Sequence, residues 1–412
     1  MSRLHQPDDR VSRPESHSEV SVEGISLLQS LKALPRPVWI LCLGTFLNKF
    51  GAFVIPFLAL YLTRQGFSVK QAGLALMSYG AGHVVATAMG GHLADTIGRR
   101  NTIVLSMFSA AICMLLLSQA RSYTAILVLT ASTGLACELY RPACNALLAD
   151  LVAPAQRITA YSAYRLALNA GFAFGPATAG LLVEHSFFWL FVGDAFSSFL
   201  FGAVALALLP HGLRSRKEES GWTPALISVR GNLPFLQLLI ASLLIGPVVY
   251  QMASTFGLHV TNCKLPAWVY GVLISGNGIL VVLFELPLTR ITSRLPPRRV
   301  LAAGYVLLGA GFAMNTFATT VPLLAIVIVV ITFGEMLAMP VSIAYSANLA
   351  PAAMRGRYMG VYGSSWSISV LVGPMLGMTL FSYQPALLWA VCGALGLLAA
   401  AAISLQPASQ PV

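Results

Sequence analysis

Long apolar runs alternate with short polar breaks along most of the chain, and that alternation predicts the elements. A helix needs about 20 apolar residues to cross the hydrocarbon core of a bilayer. Runs of that kind lie near 37–63, 70–92, 101–120, 123–151, 157–183, 187–209, 233–259, 268–289, 299–318, 321–349, 355–381 and 384–405. The pattern predicts twelve membrane-spanning helices. The longest of them are expected to tilt or to extend beyond the bilayer. Gly and Pro recur inside the runs, which spanning helices tolerate better than soluble ones do. The breaks divide the chain into a tail over 1–35, six spans over 36–209, a polar connection over 210–232, six more spans over 233–405 and a tail over 406–412.

Charge sharpens this picture. Only 9% of the residues are charged, and 57% are hydrophobic, whereas soluble domains carry about 25% charged residues. So little charge cannot coat a water-facing surface, and most of the outer face must meet lipid. The net charge of +11 does not point to nucleic acid, because the basic residues form short clusters between apolar runs rather than one folded face. Those clusters orient the chain. Even-numbered connections hold Arg99, Arg100, Arg157, Arg214, Arg216, Lys217, Arg230, Arg290, Arg294, Arg298, Arg299, Arg355 and Arg357. Odd-numbered ones hold Arg64, Lys70, Arg121 and Lys264. The positive-inside rule assigns the first set, and with it both termini, to the cytoplasm. Residues 1–35 mix both signs and lack the order of a cleaved signal peptide. Cys42, Cys113, Cys137, Cys144 and Cys392 lie inside apolar runs and Cys263 near a span end, with no C-x-x-C spacing. They read as small buried hydrophobes; no metal site and no cofactor are expected.

The two sets of six repeat. At one constant offset, 198 residues, Gly73 meets Gly271, Gly80 meets Gly278, Arg100 meets Arg298, Pro142 meets Pro340, Arg157 meets Arg355, Tyr164 meets Tyr362, and Gly175-Pro176 meets Gly373-Pro374. Such pairing of glycines, prolines and loop arginines argues for duplication. Two like-oriented halves related by an axis along the membrane normal place a substrate near the midplane between them.

The connection between the second and third spans reads Gly91-His92-Leu93-Ala94-Asp95-Thr96-Ile97-Gly98-Arg99-Arg100. It matches G-x-L-A-D-x-x-G-R-R, the signature loop of the major facilitator superfamily, and the chain resembles the twelve-span drug:proton antiporters of that family. The resemblance implies an all-α membrane protein of twelve transmembrane helices in two pseudo-symmetric six-helix bundles. It also implies a monomer in a bacterial inner membrane that exchanges a small-molecule substrate against protons. In the family the acid of this loop, here Asp95, faces the positive N-terminus of the eleventh span. Arg99 and Arg100 pair with acids at neighbouring helix ends, Asp150 first among them, with Arg157 alongside. Gly91 and Gly98 remove side chains where helix ends approach. Together these residues form a conformational latch; the alternative is loop charge that only sets topology. The second-half counterpart is degraded to Thr289, Ser293 and Pro296, so the latch is expected to be one-sided. In the fifth span Gly171, Gly175, Pro176 and Gly180 resemble the family's antiporter motif, with Ala179 in place of one glycine. The same residues also suit generic close packing of helices.

Ionisable residues at membrane depth are costly and mark function by default. Lys49 and the adjacent Asn48 lie in the first span, Glu138 and Arg141 in the fourth, Arg165 in the fifth, Asp194 in the sixth and Glu335 in the tenth. Spans one, four, seven and ten line the cavity in this fold, which favours Lys49, Glu138, Arg141 and Glu335. Glu138, Glu335 and then Asp194 are the proton-coupling candidates. Glu138 with Arg141 as a structural pair, and Asp194 as a structural acid, stay open. Asn48, Lys49, Arg141, Arg165, Tyr164, Gln251 and Trp366 are substrate-cavity candidates. His83 reads as a hydrogen-bonded helix histidine rather than a relay. The fourth span has no arginine before Arg141, and the first carries Lys49 where some multidrug members carry an acid, so the drug-exporter pattern is incomplete.

These features give a proton-coupled exporter of small amphipathic molecules, linked to efflux and multidrug resistance, as the first reading. An importer or facilitator of an anionic metabolite using Lys49, Arg141 and Arg165 is the alternative. No H-E-x-x-H, G-x-S-x-G or phosphate-binding loop occurs, which argues against an enzyme.

Overall fold

A computed structural model describes residues 31–153, 156–211, 223–292, 294–351 and 355–405. The expected tails over 1–35 and 406–412 and the loop charges Arg214, Arg216 and Lys217 fall largely or wholly outside the described residues, as do the side chains of Arg157, Arg290 and Arg355. The first half holds α1 (Arg36–Phe50), α2 (Val54–Arg64), α3 (Val69–Thr96), α4 (Arg99–Gln119), α5 (Tyr123–Glu138), α6 (Tyr140–Leu151), α7 (Arg157–His185) and α8 (Phe188–Leu208). After a short helix α9 (Thr223–Gly231) come α10 (Leu233–Val249), α11 (Phe256–Asn262), α12 (Ala267–Thr292), α13 (Pro297–Met314), α14 (Val321–Leu349), α15 (Arg355–Tyr383) and α16 (Pro385–Ser404).

Among the described residues, eleven spans are long and apolar enough to cross a membrane. The twelfth place is filled by α13, packed between α14 and α16. Its first turn carries Arg298 and Arg299, which shortens its apolar stretch.

Three spans read as continuous in the sequence are broken. Span one stops at Phe50 and resumes at Val54, span four has a joint at Leu139, and span seven unwinds into a 3-10 turn over Tyr250–Met252. The offset of the repeat carries the first break onto the third. The turn at Gly51–Phe53 exposes helix N–H groups inside the protein, and such groups need partners. Asp194 of α8 supplies one: its carboxylate accepts from the Val54 N–H at 3.2 Å.

The halves meet where α3 packs on α15 and α7 on α12, and again where α2 touches α11. Glycines make the long seams possible. A Cβ added at Gly80 would lie 2.5 Å from Leu371 Cα, and one at Gly278 would lie 2.5 Å from Ala173 Cα. Both pairs of partners are related by the 198-residue offset, so the duplication extends to the contact between the halves. Gly73 against Met378 and Gly271 against Gly180 repeat the relation one turn or two further along.

The two ends of this assembly differ. At the face opposite the signature loop, the Tyr270 hydroxyl donates to the Pro56 carbonyl at 3.2 Å and to the Met252 carbonyl at 3.0 Å. Its ring meets Phe57 edge-on at 5.1 Å and Phe256 at 6.0 Å. Pro56 and Phe57 belong to the first half, so this aromatic cluster seals that face. Toward the arginine-rich face, a Cβ added at Gly91 or Gly363 would meet nothing within 4 Å.

Candidate functional site

Four ionisable residues of the first half converge. The joint at Leu139 leaves Glu138 ending α5 and Arg141 in the first turn of α6, so the two fall on one side. Arg141 Nε stands 3.1 Å from Glu138 Oε2, and His83 Nε2 of α3 stands 3.5 Å from the same oxygen. Lys49 Nζ lies 5.5 Å from the ring centres of both Tyr140 and Phe172. Lys49 and Glu138 are buried, whereas the Arg141 side chain is 46% exposed although it sits mid-span. Tyr250, across the space between the halves, lies within electrostatic reach of this guanidinium.

That space is a cavity of about 410 Å³, within the size range of small-molecule sites. Its walls come from both halves. Phe172 and Pro176 of α7 face Tyr250, Tyr270, Met339 of α14 and Trp366 of α15. Polar groups in the lining are few: Asn169, Asn277 and Glu335 stand out. Asn277 Nδ2 donates to Glu335 Oε2 at 3.0 Å and to Thr332 Oγ1 at 2.9 Å, which aims the carboxylate. No cation of the described residues lies within 4.0 Å of Glu335. Lys49, Glu138 and Arg141 are not in the lining, but Tyr250, which is, lies within electrostatic reach of Glu138 and Arg141, so the first-half cluster stands behind the cavity wall.

Other expected cavity residues are placed elsewhere. Asn48 donates to Ser198 of the outer helix α8 at 3.2 Å. Tyr164 is buried within the first half beside Cys144. Gln251 is 2% exposed and knits the break of span seven to span eleven: its Nε2 donates to Pro247 and Gly373 carbonyls, and its Oε1 accepts from Ser254 and Thr255. An added Cβ at Gly377 would collide with it at 1.8 Å. These three were read from polarity alone; Asn48 and Gln251 instead satisfy partners inside one bundle or at its seam, and Tyr164 is buried inside its bundle. Arg165 pairs with Glu285 of α12 across the halves. Trp366 and Glu335 do line the cavity.

The loop after span two forms a compact network. Arg99 pairs with Asp150, donates to the Ala146 carbonyl at 3.2 Å and stands 3.8 Å from Asp95. Arg100, expected to meet an acid, approaches His211 at 2.6 Å and the Leu209 carbonyl at 3.5 Å, both at the end of span six. Gly98 has φ +96°, a backbone conformation side chains rarely adopt, and it starts α4. Gly91 has no close neighbour, so here it makes no helix-end approach. In the fifth span, a Cβ at Gly171 or Gly175 would run into the backbone of Lys49–Phe50, and one at Gly180 into Trp268. The motif therefore wedges α7 between spans one and eight.

Two contributors escaped the sequence. Glu285 sits close to the polar end of its run and is not among the ionisable residues named at depth, yet it bridges the halves. Asn277 has no charge to flag it. The alignment of Asn277 with Tyr79 and of Glu285 with Thr87 gives no symmetric cue to either.

Comparisons agree with this geometry. The family model of the Major Facilitator Superfamily matches residues 41–266 and again 264–411. The chain is similar to the uncharacterised MFS-type transporter YqjV of Bacillus subtilis, 28% identical over 82% of this chain and 85% of the relative. It is similar also to a Na(+), Li(+), K(+)/H(+) antiporter of Planococcus maritimus, at 24% over 80% and 86%. The multidrug resistance protein MdtH of Aeromonas salmonicida is 27% identical over 87% and 92%. Among solved structures, the nucleoside transporter NupG superposes with a TM-score of 0.80 at 15% identity, covering 89% of this chain and 99% of that one, a likeness of fold alone. Matched in both repeats and built as two six-helix bundles around a shared cavity, the chain belongs to the major facilitator superfamily and is a multi-pass membrane transporter, not an enzyme.

Proposed function

We propose that this transporter is a proton-coupled exporter of small amphipathic molecules, working by alternating access around the central cavity. The observation that carries the proposal is Glu335: a carboxylate aimed by Asn277 into an otherwise largely apolar, aromatic cavity, with no cation of the described residues within 4.0 Å. Such a group holds either a proton or a ligand's positive charge, and the two compete. Competition at one site, with access alternating between faces, yields exchange of substrate for proton. The names of two relatives, an antiporter and a multidrug resistance protein, support this direction of exchange. Tyr270, Met252, Met339 and Trp366 offer the adaptable apolar surface that amphipathic ligands need. The anionic-metabolite alternative loses two of its three cations, since Arg141 is paired with Glu138 and Arg165 with Glu285.

The test uses everted membrane vesicles whose lumen is acidified and followed with the pH-gradient dye ACMA. A panel of amphipathic amines, acids and zwitterions is added compound by compound. At least one should restore the dye's fluorescence in vesicles holding the wild-type chain and not in vector vesicles, and Glu335→Gln should abolish the response. Retention of the response in Glu335→Gln, or no response across the panel, refutes proton exchange at this site.

A further inference from the structure

The charges buried between the helices do not all find partners, and the remainder has a shape. Glu138 pairs with Arg141, and Glu285 with Arg165. Asp194 accepts from the Val54 N–H that opens α2, and no cation of the described residues lies within 4.0 Å of it. Lys49 has no carboxylate of the described residues within 4.0 Å and rests against two aromatic faces. Glu335 has an amide donor but no cation. Lys49 in the first half and Glu335 in the second thus each lack an ion-pair partner of the described residues, and Phe172 is shared between them: Lys49 sits over its ring, and the same ring lines the cavity that holds Glu335.

An intramembrane charge is retained where a partner or a passing ligand compensates it. A ligand with a single charge neutralises one of these groups and leaves the other bare. We propose that the substrate class is zwitterionic: an anionic group directed to Lys49, a cationic group directed to Glu335, and an apolar body against Phe172, Tyr250 and Trp366. This assignment rests on the transport reading above and names what that same cavity selects. Lys49 presents a positive charge without an ion-pair partner beside the Arg141–Glu138 pair, and Glu335 a negative charge without one in the second-half wall. The zwitterion matches both signs across the gap, so it also ties the two halves together when bound. A single-charge drug-like cation satisfies only the second-half wall.

Three probes of like size separate the possibilities: phenylalanine, phenethylamine and 3-phenylpropionate, titrated calorimetrically into the purified full chain. Phenylalanine should bind at least tenfold more tightly than either single-charge probe. Lys49→Gln should bring phenylalanine down to the affinity of phenethylamine, and Glu335→Gln to that of phenylpropionate; Lys49→Arg should restore the preference. Monodisperse elution and an unchanged melting temperature identify variants that remain folded. Equal binding of phenylalanine and either single-charge probe, or no binding of any probe, overturns the inference. Titration needs no gradient, so it is independent of the vesicle test. A zwitterion preference without a dye response leaves this site standing and removes proton exchange. A dye response elicited by single-charge compounds alone does the reverse.

Discussion

Replacing Tyr270 by Phe removes a single oxygen from the seal opposite the signature loop. The hydroxyl donates to Met252, in its own half, and to Pro56, in the other. Only the second bond must break when that face opens. A net intramolecular hydrogen bond is worth about 1 kcal/mol, and the donor is shared between two carbonyls, so about 1 kcal/mol is the ceiling for the change. Since 1.4 kcal/mol is tenfold in an equilibrium, the population open at that face should rise about three- to fivefold. The ring contacts with Phe57 and Phe256 survive the substitution, so stability should hardly move. The reporter is Ala253→Cys, a cavity-lining position beside the seal, in a background freed of the six native cysteines. A membrane-impermeant maleimide applied from the sealed side should label it about three to five times faster in Tyr270→Phe than with Tyr270 intact. An unchanged rate in correctly inserted protein would refute the claim that this hydroxyl holds the seal.

The paired seams make a matched prediction: Gly80→Ala and Gly278→Ala each place a Cβ 2.5 Å from a facing Cα, so each should destabilise by about 1–3 kcal/mol. Their melting temperatures in detergent should fall together; a large fall in one alone would break the symmetry argument. Asp194→Asn keeps an oxygen for the Val54 N–H and should retain transport, whereas Asp194→Leu should lose about 1–2 kcal/mol with the cap. Loss of gradient-driven flux in a stable Asp194→Asn would instead make this acid a proton carrier.

Much of this architecture is legible in the sequence because lipid imposes it. Apolar length yields the spans, and the offset pairing Gly80 with Gly278 foretells the contact symmetry down to Leu371 and Ala173. Arg99 with Asp150 is readable because both sit at predictable helix ends. Legibility fails where a residue's role depends on which way a helix turns. Gln251, Asn48 and Tyr164 are as polar as any cavity residue, yet each faces its own bundle or a seam. The breaks at Gly51–Phe53 and Tyr250–Met252 lie inside unbroken apolar runs, since an internal acceptor such as Asp194, rather than a polar loop, satisfies the freed backbone. Glu285 was hidden for the opposite reason: it lies where the apolar run already fades.

The account turns on two rigid bundles pivoting about the cavity. Spin labels at Arg64→Cys with Lys264→Cys report the separation at the sealed face, and Thr96→Cys with Arg294→Cys that at the arginine-rich face. Pulsed electron spin resonance in lipid, across pH, should resolve two populations in which the first separation lengthens as the second shortens. A single unchanging distance at both faces under every condition would contradict alternating access.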